Sequence, residues 1–194
     1  MLRSHRFLPL VTWLFAGCQG ISAPSLHGTL LEPPMDTPDF ILQSVNGPVA
    51  STSFRGNLVV LTFGYTSCPD VCPATLARLA RTLDLLGPQA DEVQVLMITV
   101  DPERDTTERL ARYTRAFDER FIGLSGTPGE IAAVAADFGV FYDRVEGSSA
   151  NDYMVDHSAT TFVLNREGDT WLLWPFDTSP DEMASDLRQL IRAS

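Results

Sequence analysis

The chain has 194 residues, 44% of them hydrophobic and 20% charged, which fits a single globular domain and excludes both a disordered chain and a polytopic membrane protein. Its formal net charge is −11, so no basic stripe is available to neutralise phosphates and a nucleic-acid partner is not expected. All 14 basic residues are arginine, which we read as compositional drift without functional content.

At the N-terminus Arg3 and Arg6 precede an apolar stretch, Phe7 to Gly17, that is too short to span a bilayer. It ends in Leu14-Phe15-Ala16-Gly17-Cys18, which resembles a bacterial lipobox with Phe15 where leucine is usual. Residues 1–18 are therefore expected to be a leader, with Cys18 the lipidated residue in preference to ordinary cleavage or a retained anchor, and with the rest of the chain outside the cytoplasm in each case. Thiols there face oxidation unless a metal or a reductant protects them. Residues 19–37 are rich in Ser, Pro and Gly, show no sustained period and read as a tether. Residues 38–194 read as the folded domain.

Within it, Asp39 to Ser44 is expected as a strand entering the turn Val45-Asn46-Gly47-Pro48. Leu58 to Phe63 is an apolar run suited to a buried strand. From Pro73 the residues Leu76, Leu79, Ala80, Leu83 and Leu86 recur at helical spacing until Gly87-Pro88. Val93 to Val100 is a second buried strand, and Thr106 to Phe117 a second helix, with Asp105 and Glu108 as a variant capping box. A short strand at Phe121–Leu124 and a helix at Pro128–Phe138 follow. Thr160–Leu164 and Thr170–Trp174 form a hairpin around Asn165–Asp169, and a last helix runs from about Pro180 to Arg192. This order implies an α/β fold with a mixed central sheet and helices on both faces. Sites in such folds gather at the carboxyl ends of parallel strands. The segments 64–72 and 101–106 leave the sheet there and should be neighbours.

The first of those segments carries Cys68-Pro-Asp-Val-Cys72-Pro, the only two thiols of the domain. Two cysteines four apart at a helix start can hold a soft metal as thiolates or cycle between dithiol and disulfide. The helix N-terminus is expected to lower a thiol pKa there. His157 is the only histidine of the folded region, since His5 lies in the leader and His27 in the tether. It immediately precedes the strand expected to run beside the one leading to the cysteines. Two thiolates and one imidazole suit Cu(I), and Cu(II) with an added oxygen ligand. Structural zinc wants four ligands, and no third cysteine or second histidine is present in the domain. Asp156 is a candidate to orient the imidazole, or else a turn carboxylate bonded to backbone. Asp101 is first a strand-exit residue and second part of the site wall. Tyr65 and Tyr153 are candidates to shield the site, and Met35, Met97, Met154 and Met183 are too scattered for a methionine-rich copper site.

Three ordered pieces resemble the SCO/SenC family: Phe63-Gly-Tyr-Thr-Ser-Cys68-Pro-Asp-Val-Cys72-Pro, Val100-Asp101-Pro-Glu-Arg-Asp-Thr106 and Tyr153-Met-Val-Asp156-His157-Ser158. The resemblance covers roughly Pro38 to Arg192. It implies a thioredoxin-like fold on a membrane-tethered domain facing the periplasm, with copper bound by Cys68, Cys72 and His157. It also implies assistance in assembling the copper A centre of cytochrome c oxidase, by delivering copper, by reducing the centre's cysteines, or both. A periplasmic copper donor or thiol reductant would be a further partner. Ser67 stands where many members carry histidine and Ala74 where an acidic residue is common; neither is a ligand. The leader also differs from the full transmembrane helix of many members.

The main alternative is a thiol–disulfide oxidoreductase using Cys68 and Cys72 as its redox pair. Against it as sole role, three residues separate the cysteines rather than two. Ala159 also stands before Thr160 where thioredoxin-like reductases resemble one another in carrying a cis-proline. Peroxidase chemistry finds no distinguishing support, and a pure interaction module leaves the three-residue constellation unexplained.

Overall fold

The computed structural model describes residues 26–149 and 152–194. Its centre is a parallel pair, β4 (Leu58–Gly64) and β5 (Val93–Thr99), in register from Leu58 opposite Val93 to Gly64 opposite Thr99. Both strands are apolar on both faces because both faces are covered. Val59, Leu61, Phe63, Leu96 and Ile98 enter one core, while Leu58, Val60, Val95 and Met97 enter the other. Around them the six-stranded sheet reads β1-β10-β9-β4-β5-β6, with β1 at Thr29–Met35, β6 at Ile122–Leu124, β9 at Thr161–Leu164 and β10 at Thr170–Trp174. β9, the first strand of the β9–β10 hairpin, lies antiparallel to β4, with Thr62 opposite Thr161, as expected for the strand that follows His157.

On one face lie α1 (Val71–Leu86) and α4 (Pro180–Ala193), which supply Leu76, Leu79, Leu83, Leu187 and Leu190 to the second core. On the other lies α3 (Pro128–Asp137), with Ile131, Val134 and Ala135 inward. α3 and α4 each begin with a Pro in the first turn and a reciprocal capping box, Thr127–Glu130 and Ser179–Glu182. α2 (Thr107–Arg115) packs Leu110 beside Gly123 of β6. The architecture is the expected thioredoxin-like mixed sheet with helices on both faces.

Three elements depart from expectation. Residues 29–35, placed in a tether, form edge strand β1, paired with β10 through Thr29–Leu173 and Leu30–Leu172. An edge strand with one side free tolerates Pro33 and Pro34 and needs no clean alternation, so its composition reads as linker. The cap of α2 is Thr106, whose side chain accepts from Arg109 N, while Asp105 turns into the core. The segment before β9 is a two-stranded hairpin, β7 (Tyr142–Ser149) and β8 (Asp152–His157), with Tyr142 opposite His157. A second small hairpin, β2 (Ile41–Ser44) and β3 (Gly47–Ala50), turns at Val45-Asn46, and Gly47, the first residue of β3, has φ 105°. The expected leader and its Cys18 lie outside the described residues.

Candidate metal centre

β4 delivers the chain to the carboxyl end of the sheet, where it bends through Tyr65–Asp70 before α1 begins. Cys68 N donates to Tyr65 O at 3.3 Å, and Cys72 N donates to Cys68 Sγ at 3.4 Å, so the first sulfur, two residues before the N-cap Asp70, satisfies an N–H of the first helical turn. Cys72, one residue into α1, points back under the end of β4. That approach depends on Gly64, because a Cβ there would stand 2.9 Å from Cys72 Sγ.

From the other side β8 ends at His157, whose Nε2 lies 3.3 Å from Cys72 Sγ. Its Nδ1 lies 3.0 Å from Ser158 O. A carbonyl only accepts, so Nδ1 carries the ring proton and Nε2 turns its lone pair toward the sulfurs. The donor atoms of Cys68, Cys72 and His157 all lie within 4.8 Å of one another, and no other histidine, cysteine or carboxylate joins that cluster among the described residues. Cys72 is buried; Cys68 and His157 are half-buried.

Burial dominates the electrostatics of the pair. Desolvation pushes the Cys72 thiol well above the ordinary cysteine range, and a hydrogen bond with Cys68 pushes it further in the same direction. The expected lowering by the helix N-terminus is therefore not met at Cys72: it sits inside the first turn beneath the sheet, where lost hydration outweighs the helix dipole.

Tyr65, 1% exposed, forms a wall, its ring edge-on to His157 at 6.1 Å between centroids. Its hydroxyl accepts from Val155 N at 3.3 Å, which binds β8 to the end of β4. Desolvation raises its pKa above the usual phenol value. Asp101 is buried behind this wall, accepting from Tyr153 Oη at 2.7 Å and from Arg104 Nε. The Arg104 guanidinium lies over the Tyr153 ring at 3.5 Å, and its Nη1 donates to Tyr153 O at 3.0 Å. Asp101 thus braces the hairpin that carries His157 and does not touch the donor atoms. Asp156 is exposed and its side chain makes no hydrogen bond or ion pair among the described residues, so the Ser158 carbonyl takes the orienting role considered for it.

Two residues of the surroundings were not legible as site residues. Asp105, fully buried, accepts from Thr66 N at 2.9 Å and from Thr99 Oγ1 at 2.8 Å, which ties the thiol loop to β5. Arg109 reaches from α2 to donate to Thr66 Oγ1 at 2.7 Å and to Ser67 Oγ at 3.0 Å. These bonds make neighbours of the 64–72 and 101–106 segments, as the strand order implied. Paired Asp and Arg four apart at a helix start are ordinary in sequence; only the topology turns them toward the cysteines.

The SCO1/SenC family model matches residues 31–192. A SCO2-like protein of Rickettsia conorii is 38% identical over 152 residues, 77% of this chain and 74% of its own. Among solved structures, apo Sco1 of Thermus thermophilus is 43% identical, with a TM-score of 0.79 over 86% of this chain and 97% of that one. Copper-bound ScoI of Bradyrhizobium japonicum is 37% identical, with a TM-score of 0.74 over 79% of this chain and 98% of its own.

Proposed function

Since the chain belongs to the SCO1/SenC family, we propose that Cys68, Cys72 and His157 bind copper as cargo and release it to the copper A centre of cytochrome c oxidase. The observation that carries this reading is the 3.3 Å approach of His157 Nε2 to Cys72 Sγ across 85 residues of chain. Two soft sulfurs and one imidazole within 4.8 Å give the three-donor set that Cu(I) favours, and the lack of a fourth donor in the cluster among the described residues argues against structural zinc. The kinship with copper-bound ScoI supports the choice of metal. Binding requires both thiols to lose their protons, and a partner's ligands can take the ion by exchange at the half-exposed Cys68 side.

The domain works outside the cytoplasm, on the periplasmic face of a bacterial membrane, held there through lipid on Cys18 at the end of the leader. Residues 1–18 are that leader, and the tether between lipid and fold is shorter than 19–37 because β1 starts at Thr29.

A second reading rests on its own observation. Cys68 is half-buried while Cys72 is buried beside it, which is the division of labour between an attacking and a resolving thiol. The same pair would then reduce the cysteines of the oxidase copper site. The deciding experiment is copper titration of purified, reduced protein. One copper per chain should bind, and Cys68→Ser, Cys72→Ser and His157→Ala should each abolish it. Full binding by His157→Ala would remove the three-donor site and leave the redox role.

A further inference from the structure

The chain enters the domain at the same end of the sheet as the metal centre. β10 runs parallel to β4, because each is antiparallel to β9; Trp174 lies opposite Thr161, which lies opposite Thr62. β1 runs antiparallel to β10 with Thr29 opposite Leu173, so Gly28 and His27 emerge level with the carboxyl end of β4. This entry point is fixed. Asp186 of α4, fully buried, accepts from His27 N at 2.9 Å, from Gly28 N at 3.0 Å and from Trp174 Nε1 at 2.9 Å. A buried carboxylate with three donors is a firm clamp. Gly28 fits there only because it lacks a side chain, as a Cβ would meet Trp174 Cδ1 at 2.7 Å.

The distances then set an orientation. β1 and β4 are separated by two intervening strands, which places the entry roughly 14 Å to the side of the thiol loop. The nine residues from Cys18 to His27 reach at most about 30 Å when fully extended. The turn at 165–169 lies at the opposite end of the sheet. Resting on the anchoring through Cys18 proposed above, we infer that the bound domain holds its Cys68–Cys72–His157 end toward the bilayer and the 165–169 turn away from it. The centre is thereby kept for a partner whose copper-accepting or disulfide-bearing site lies close to the membrane surface, in preference to a partner diffusing freely.

The test uses the full lipidated chain with Cys68→Ser and Cys72→Ser, reconstituted in phosphatidylglycerol–phosphatidylethanolamine vesicles that carry an acceptor dye on the headgroups. A donor dye is placed either at Asp177→Cys, exposed at the site end, or at Glu167→Cys, exposed in the far turn. Circular dichroism confirms that both variants fold. With the strand length separating the labels, the transfer rate from position 177 should exceed that from 167 by at least about fivefold. Equal transfer, or more from 167, in protein that floats with the vesicles overturns the orientation and leaves the anchor standing. Failure to float, or flotation unchanged by Cys18→Ser, overturns the anchoring reading and the orientation built on it.

Discussion

Gly64→Ala isolates the packing that places the second sulfur. The new methyl would lie 2.9 Å from Cys72 Sγ, 3.0 Å from Met97 Cε and 3.5 Å from Cys72 Cβ. Relaxed contacts between such atoms stand at about 3.5–4.0 Å, so the sulfur must yield by more than about half an ångström. Met97 can swing its terminal methyl aside at little cost. Cys72 cannot, because it is buried in the first turn of α1 with His157 already against it. Overpacking of this kind costs about 1–3 kcal/mol in stability. Donor distances at a metal tolerate only about 0.2 Å, so the loss in copper affinity should be at least about tenfold, or about 1.4 kcal/mol. Anaerobic competition for Cu(I) against a chromogenic chelator, with chemical denaturation of the apo protein, reads both quantities. Gly129→Ala is the control: beyond its chain neighbours and the adjoining helix backbone, no atom lies within 4 Å of its added methyl in α3, and alanine there should stabilise by up to about 1 kcal/mol. Should Gly64→Ala bind copper within about twofold of the parent at unchanged stability, Cys72 is not held as described and the argument fails.

Asp186→Ala should cost about 2–4 kcal/mol by leaving Trp174 Nε1 and two backbone N–H groups without their acceptor, with Cu(I) affinity unchanged; denaturation and titration of the same sample check both. Arg109→Ala should lower copper affinity about three- to tenfold by loosening Thr66 and Ser67, while stability moves by less than about 1 kcal/mol because the guanidinium is half exposed. Affinity indistinguishable from the parent would exclude Arg109 from any positioning role. The raised pKa of Cys72 means that the folded protein keeps a proton the unfolded chain surrenders near pH 8.5. Its contribution is whole below that pH and declines above it, so apo protein should melt at a lower temperature at pH 9.5 than at pH 7.5. Cys72→Ser should shrink the difference, and a pH-independent midpoint over that range would count against the burial argument.

The parts of this fold that announce themselves in sequence are those whose physics is local or repetitive. β4 and β5 are continuous apolar runs because both faces are covered, and α1 shows its buried stripe because it lies on the sheet along its whole length. The three donors were legible for a simpler reason: the domain has few residues able to bind a soft ion, and their order matches a known family. What escaped was decided by pairing partners far along the chain. β1 is a strand only because β10 offers it an edge, and its two prolines disguise it. The β7–β8 hairpin is largely solvent-facing, so charged residues such as Arg144 and Glu146 mask its period. Asp105 sits where a cap is expected, and only the convergence of Thr66 and Thr99 turns it inward. Asp156 was the opposite case, a carboxylate adjacent in sequence whose side chain faces solvent.

The three donors are divided unequally between two bodies. Both sulfurs belong to the main body, one on the loop after β4 and one in the first helix, whereas the imidazole rides on β8, which among the described residues pairs only with β7 and stands apart from the six-stranded sheet. The ribbon is held against its host by side chains: Tyr65 at Val155, and Arg104 and Asp101 at Tyr153. Lifting it would drop an ion from three bonds to two without opening a single rung of the central ladder. Release of the proposed ion would then depend on the contacts that seat this ribbon, the burial of Tyr153 and Val155 in the first core among them, rather than on the central ladder.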